Sequence, residues 1–253
     1  MTRPRILFGD HRTQMPAIGR LIDHDRFDVT FAALDDVDFR PFDLVVPLRI
    51  DQIDPARAAN ADGQRRAVLP APELVDACDD KFRFTERLVA LGFGDATPAL
   101  LPDPTDRYPH VVKARRGDFG QGIRMVRGPE DDAPLPADSF RQEAVAGELE
   151  YVLHLLRVDG RIRYSLCYVY DMGAPLTVRG EADAARTIEP ADATPAMAMC
   201  VRVLEALGFE GTCCFNYKLE EGALRIIELN PRFGGSLVGD VTEYVAAHLD
   251  ALG

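Results

Sequence analysis

No stretch of the 253-residue sequence approaches the roughly 18 consecutive apolar residues of a membrane span, which argues against a transmembrane helix. The first residues, Met1-Thr-Arg-Pro-Arg-Ile-Leu-Phe-Gly-Asp, reach only a short apolar run before turning polar, so no secretory signal is expected. Positive charge is scarce: 29 Lys and Arg face 41 Asp and Glu, a formal net charge of −12. That balance argues against nucleic acid or an anionic membrane surface as the main partner, because both need an excess of basic residues. It leaves room for a small anion held by a local cluster of cations. The five cysteines (Cys78, Cys167, Cys200, Cys213, Cys214) are odd in number and lack any Cys-x-x-Cys spacing. A disulfide framework or a zinc site is therefore not expected; buried, reduced thiols in a cytoplasmic protein are. There is no internal repeat and no low-complexity tract.

What is present reads as an ordinary globular chain, 47% hydrophobic and 28% charged, long enough for one large domain or two to three small ones. Strands are expected at 5–9, 27–34 and 42–48, with helical stretches at 13–23 and 54–61. Alternation of strand and helix implies a small parallel α/β unit over residues 1–75, with Val68-Leu-Pro-Ala-Pro marking its exit. Asp79–Leu91 reads as a helix stopped by Gly92. A strand over 108–114 enters the glycine loop Gly117-Asp-Phe-Gly-Gln-Gly and leaves through a strand at 123–126, which is a hairpin rather than the strand-to-helix turn of a Rossmann or Walker site. Residues 128–138 read as loop and 173–193 as an irregular connection. Tyr151–Val158 and Arg161–Tyr170 flank Asp159-Gly160, a hairpin signal. A helix over 195–207 stopping at Gly208 precedes paired strands at 211–219 and 223–229. The fold class is mixed α/β (α+β) with an antiparallel second half.

Several residues suit chemistry. In Glu228-Leu229-Asn230, strand alternation places Glu228 and Asn230 on one face, with Ile227 and Leu229 on the other. Two oxygen-bearing side chains about 7 Å apart can hold a hard cation. The following Pro231-Arg232-Phe-Gly-Gly-Ser236 offers a guanidinium, flexible backbone N–H groups and a hydroxyl suited to an anion. Lys113 closes an apolar strand four residues before the glycine loop, where its ammonium can lie over phosphates cradled by loop amides. An ordinary surface lysine beside a hairpin fits that position equally well. Lys81 alone reads as a solvated helix residue. Gln142-Glu-Ala-Val-Ala-Gly147 can present backbone groups to an adenine edge, and Glu150 can accept from ribose hydroxyls.

Taken in order, these elements resemble the ATP-grasp superfamily over roughly residues 75–240. The pieces are Asp80-Lys81, Val111-Val112-Lys113 leading into the glycine loop, the linker Gln142–Gly147, and Ile227-Glu-Leu-Asn-Pro-Arg232. The resemblance implies a short parallel α/β domain at 1–75 and an ATP-grasp domain at 76–253, divided into a small lid near 109–142 and a C-terminal subdomain near 143–253, with ATP between them. It implies that Lys81 and Lys113 contact phosphates and that Gly117, Phe119, Gly120 and Gly122 close over them. Gln142, Glu143 and Val145 would surround adenine, and Glu150 would hold ribose, with Glu148 as a rival. Glu228 and Asn230 would hold Mg²⁺ or Mn²⁺, with Asn216 the best match for a further ligand. Arg232 would meet the transferring phosphoryl group. Arg163, Arg179, Arg186, Arg232, Gly235 and Ser236 are the candidate substrate contacts.

The sequence departs from the superfamily pattern in two places. An acidic residue or Gln is usual where Asn216 stands, and an amide weakens the case for a second metal. The amino-terminal unit is also short. The activity implied is an ATP- and magnesium-dependent, ADP-forming carboxylate–amine ligase acting through an acyl phosphate. Its substrates would be small molecules: an amino acid, a peptide or a similar metabolite. A kinase, or a nucleotide-binding regulatory protein without turnover, are the alternatives. A homodimer is an expectation of the resemblance alone.

Overall fold

The computed structural model describes residues 2–117, 120–180 and 183–253. The chain opens with strand β1 (Arg5–Gly9), helix α1 (Gln14–Leu21), β2 (Asp28–Ala32) and β3 (Leu44–Val46). These strands form a parallel sheet of order β2-β1-β3. Helical turns from Ile50 to Asn60, with α2 (Ile53–Ala56) at their centre, cover one face.

The proline-marked exit is followed by a helix the periodicity did not suggest, α3 (Pro72–Asp79), started by Pro72 at its first position. The expected helix from Asp79 is α4 (Lys81–Ala90). The break between them is Asp80, whose extended backbone lets its carboxylate accept from the N–H groups of Phe82 and Arg83. The same carboxylate takes both Arg115 Nη2 (2.6 Å) and Nε (3.0 Å).

Strands β4 (Leu100–Leu101), β5 (His110–Ala114), β6 (Ile123–Val126) and β7 (Ser139–Glu143) form an antiparallel sheet of order β4-β7-β5-β6. Strand β7 takes up the first part of the expected extended linker. β8 (Leu149–Val158) and β9 (Arg161–Asp171) make the expected hairpin, with Asp159 and Gly160 both at positive φ (53° and 74°). β10 (Thr187–Pro190) lies within the stretch read as irregular. α5 (Thr194–Leu207) ends on Gly208 in the left-handed region, and β11 (Gly211–Glu220) and β12 (Ala223–Asn230) follow. The five-stranded sheet has order β10-β9-β8-β11-β12. A last helix, α6 (Val241–Leu252), was not anticipated.

The five-stranded sheet is covered by helices on the face bearing Leu153, Leu155, Phe215 and Leu229, which pack on α3, α4 and α5. Ile6 and Phe8 of β1 and Val46 of β3 share a core with Leu156 of β8, Phe233, and Tyr244 and Val245 of α6. The amino-terminal sheet is therefore closed by the carboxy-terminal helix. All five cysteines are buried and unpaired with one another. Among the described residues no helix is long and apolar enough to cross a membrane.

Asp80 couples α4 to the strand that leads into the glycine loop. Burial alone would raise its pKa, but the Arg115 hydrogen bonds hold it below the ordinary carboxylate value. Its stabilising contribution is present above the unfolded-state pKa and is lost as pH falls through the depressed folded value. Asp80→Asn should therefore cost about 2–3 kcal/mol in urea unfolding at pH 7. The gap from wild type should close as pH falls below about 4.

Candidate functional site

The antiparallel sheets face each other across a cleft. Strand alternation puts Val111 and Lys113 of β5 and Ile123 and Met125 of β6 on its wall. β11 contributes Asn216 and Lys218, while Cys213, Phe215 and Tyr217 face the core. β12 breaks the simple alternation. Its register shifts opposite Asn216/Tyr217, leaving Ile227 as an extra residue between Ile226 and Glu228. Ile226 and Leu229 face the core, and Ile227 joins Glu228 on the cleft instead of sharing the face of Leu229.

Three oxygen-bearing side chains converge at the cleft's floor. Glu228 Oε1 accepts from Asn216 Nδ2 (2.7 Å) and Asn230 Nδ2 (3.0 Å). Lys81 Nζ lies 4.0 Å from Glu228 Oε2 and donates to the Gly117 carbonyl (2.6 Å). The Lys81 backbone N–H also donates to Arg115 O (2.8 Å), so this lysine is tied to the glycine-loop entrance at both ends. No group of three or more His, Cys, Asp and Glu side chains suited to a metal occurs among the described residues. One carboxylate flanked by two amides, whose oxygens become available on rotation, suits a single magnesium ion that takes its remaining ligands from phosphates and water. It does not suit a metal held by protein alone.

Lys113 is 5% exposed and donates to Gln142 Oε1 (2.8 Å). Burial pushes its ammonium down to about 8 from 10.5, while the Glu228 carboxylate pulls the other way. Gln142 is 1% exposed, and its amide also donates to Pro98 O (3.0 Å) and Thr85 Oγ1 (3.3 Å). Paired with the cleft-lining Val111, it lies on the cleft side of its sheet but is buried beneath Lys113, which it supports. Glu143 and Val145 line the cleft. Glu143 accepts from Ala99 N and Arg225, and the Val145 carbonyl lies 3.5 Å from Lys218 Nζ.

Glu150 lines the cleft and is 6% exposed, whereas Glu148 is exposed and off the wall. Arg179 Nε donates to Glu150 Oε1 at 2.7 Å. Gly117, Gly120 and Gly122 all have positive φ. At Gly120 a Cβ would stand 2.6 Å from the Arg179 carbonyl, so glycine is required where the loop meets that segment. Phe119 lies outside the described residues.

A second chamber adjoins the first. Lys81, Gly117 and Glu228 belong to both walls; His11, Arg49, Asp51, Asn230 and Arg232 complete the second. Arg232 has no acidic partner among the described residues and donates to Phe233 O (3.1 Å). Arg49 is held by Asp10 (3.0 Å) and Asp51 (2.9 Å). The turn after Arg232 is fixed from below by His154, fully buried, whose Nε2 pairs with Ser236 Oγ (2.7 Å). Burial, with Arg232 and Arg179 nearby, pushes this histidine down to about 3, so it is neutral. A Cβ at Gly234 would stand 2.4 Å from its ring. Gly235 is exposed on this turn. Arg163 stands exposed near Asp159, at the end of β9 next to the hairpin turn and remote from Tyr170, and is on neither wall. Arg186 packs by Gly173, also off both walls.

No family model matches the chain. The N5-carboxyaminoimidazole ribonucleotide synthase of Mycobacterium tuberculosis is 30% identical over 195 residues, 68% of this chain and 44% of that protein. The chain thus spans less than half the length of this curated relative. The structure of VanG D-Ala:D-Ser ligase from Enterococcus faecalis superposes with a TM-score of 0.66 at 14% identity, covering 99% of this chain and 98% of that one. D-alanine–D-alanine ligase from Bacillus anthracis complexed with ATP gives 0.63 at 12% identity, covering 100% and 97%. The chain has the ATP-grasp fold.

In this ATP-grasp chain, Lys218 and His154 escaped sequence reading. Lys218 was signalled only by continuing the alternation from Asn216. His154 lies inside an apolar strand and gave no local signal. His11 and Arg49 follow β1 and β3, and the carboxyl ends of parallel strands are where α/β sheets place ligand contacts.

The burial of Lys113 is testable. The unfolded chain holds this proton up to its ordinary pKa, whereas the folded chain releases it near 8. Unfolding free energy should therefore rise with pH between about 8 and 10.5, by up to about 3 kcal/mol relative to a Lys113→Met variant. Parallel pH profiles for the two proteins would refute it.

Proposed function

We propose that the protein is an ATP- and magnesium-dependent, ADP-forming carboxylate–amine ligase that works through an acyl phosphate. The observation that carries this reading is the wall shared by the two chambers. Lys81, Gly117 and Glu228 bound both the cleft between the sheets and the chamber lined by Arg49 and Arg232. A nucleotide lying in the cleft with its polyphosphate toward Glu228 would present its terminal phosphate to whatever occupies the second chamber. Two of the solved structures that superpose on the chain are D-alanine ligases, and one of them is complexed with ATP.

The apolar walls at Val111, Met125 and Ile227 would receive the base, with Glu143 and the Val145 backbone at its edge. Glu150 would accept from the ribose. Glu228, Asn230 and Asn216 would hold one magnesium ion, which supplies charge neutralisation at the phosphates. Lys81 and Lys113 would add fixed positive charge, and the glycine loop would exclude water.

A substrate carboxylate oxygen then attacks the γ-phosphorus, the bond to the bridging oxygen breaks, and ADP departs. Arg232 holds the acyl phosphate. The amine nitrogen attacks the acyl carbon, phosphate leaves with the bonding pair, and the nitrogen gives up a proton. Phosphoryl transfer of this kind needs positioning and charge neutralisation more than a protein nucleophile. The nearby thiol of Cys214 is unsuited to that role, since burial pushes it up to about 12.

Incubation with ATP, Mg²⁺ and pooled amino acids and amines should yield ADP and phosphate only when an acid and an amine are both present. AMP as product would overturn the acyl-phosphate route, and a stable phosphorylated product would indicate a kinase. Glu228→Ala should lower ADP formation by at least about 100-fold while leaving the far-ultraviolet circular dichroism and urea midpoint close to wild type.

A further inference from the structure

Arg179 holds the carboxylate, Glu150, to which a nucleotide ribose would donate in the reading above. Its Nε donates to Glu150 Oε1 at 2.7 Å, and its guanidinium lies 4.5 Å from the centroid of the Tyr170 ring. Tyr170 is paired with Glu150 across β8 and β9, so carboxylate, ring and guanidinium form one stack on the cleft wall. The stack is held by its backbone. Val178 N donates to Asp183 Oδ2 (3.0 Å) and Gly180 N to Asp183 O (3.1 Å). Gly147 N donates to Pro175 O (3.1 Å) and Arg127 Nη2 to Leu176 O (3.1 Å), so the segment bridges the linker after β7 and the end of β6. Gly120 of the glycine loop rests on the Arg179 carbonyl.

Arg179 commits only one N–H to Glu150. Its Nη1 and Nη2 have no hydrogen-bond partner among the described residues, and the side chain lines the same cleft as Lys81, Lys113 and Glu228. A guanidinium is always charged and offers donors in a fork suited to phosphate. A ribose hydroxyl that donates to Glu150 Oε1 would compete there with the Arg179 N–H.

We propose that Arg179 is a nucleotide-phosphate ligand that guards Glu150 in the empty protein, and that ribose binding to Glu150 releases it toward the polyphosphate. The proposal rests on the nucleotide reading above and adds a residue and an order of events to it. Arg179 therefore works against the nucleoside half of ATP and for its phosphate half. A partner that merely stiffened the wall would favour both.

The opposed signs give the experiment. Calorimetric titration should show Arg179→Gln binding adenosine more tightly than wild type and ATP more weakly, each by about tenfold. Glu150→Gln should weaken adenosine and tighten inorganic tripolyphosphate, because the guanidinium is then released. Arg179→Lys keeps the cation without the fork and should fall between wild type and Arg179→Gln for ATP. Adenosine and ATP affinity falling together in Arg179→Gln would overturn the exchange, as would tripolyphosphate affinity indifferent to both substitutions. Wild-type protein that binds adenosine and ATP equally well would overturn the phosphate role while leaving a nucleoside site intact. Wild-type protein that binds neither removes the nucleotide reading and the exchange with it.

Discussion

The cleft is organised around a cation kept out of water. Lys113 sits on an apolar strand with one hydrogen bond, to Gln142, and the Glu228 carboxylate acts on it only through space. Removing an ammonium from solvent is costly, and that cost appears as a depressed pKa. The surrounding groups answer it in part. Gln142 is itself clamped by Pro98 and Thr85, so its oxygen cannot turn away. Lys81, Arg179 and Lys218 add further positive charge along the same wall. Four cations against three carboxylates, Glu143, Glu150 and Glu228, leave that wall with a small excess of positive charge. A net charge of −12 over the whole chain thus coexists with a locally basic cleft.

The legible parts of this molecule were those fixed by neighbours in sequence. Asp159-Gly160 announced its hairpin because both residues tolerate positive φ, and Gly208 announced the end of α5 for the same reason. Lys113 and the glycine loop, and Glu228 with Asn230, could be paired with chemistry from their order and spacing. What was not legible depends on distant partners. The break at Asp80 is set by Arg115, thirty-five positions away, which makes a capping aspartate into a buried ion pair. The bulge at Ile227 arises from register with β11, and it turns an apolar side chain expected in the core onto the cleft. Gln142 was expected beside adenine from its place in the linker; only the sheet shows it on the side of its partner Val111 but buried beneath Lys113. Arg163 failed as a substrate contact because a strand of eleven residues carries its two ends far apart.

The parallel sheet lines the second chamber. In the order β2-β1-β3 the crevice falls between β1 and β3, and the loops leaving those two strands carry His11 and Arg49. Gly9 is needed there because a Cβ would stand 2.1 Å from Gln52 Oε1, and Gln52 in turn holds Leu48 N and the Asp10 carbonyl. A short unit of three strands therefore suffices to present a defined rim to the shared wall.

That rim depends on the far end of the chain. Ile6 and Phe8 share their core with Ile18 and Ile22 of the α1 region, with Leu156 and Val158 of β8, and with Phe233, Tyr244 and Val245. During synthesis on a ribosome α1 alone covers that face of the first sheet until β8 and then α6 have emerged. The contacts that shape the second chamber span nearly the whole sequence, and loop closure over such separations is slow. The five-stranded sheet takes part in the same core, through Leu156 and Val158 of β8 packed with Ile6 and Phe8 of β1 and Ile18 of α1. The rim that carries His11 and Arg49 is therefore complete only once both ends of the chain have met.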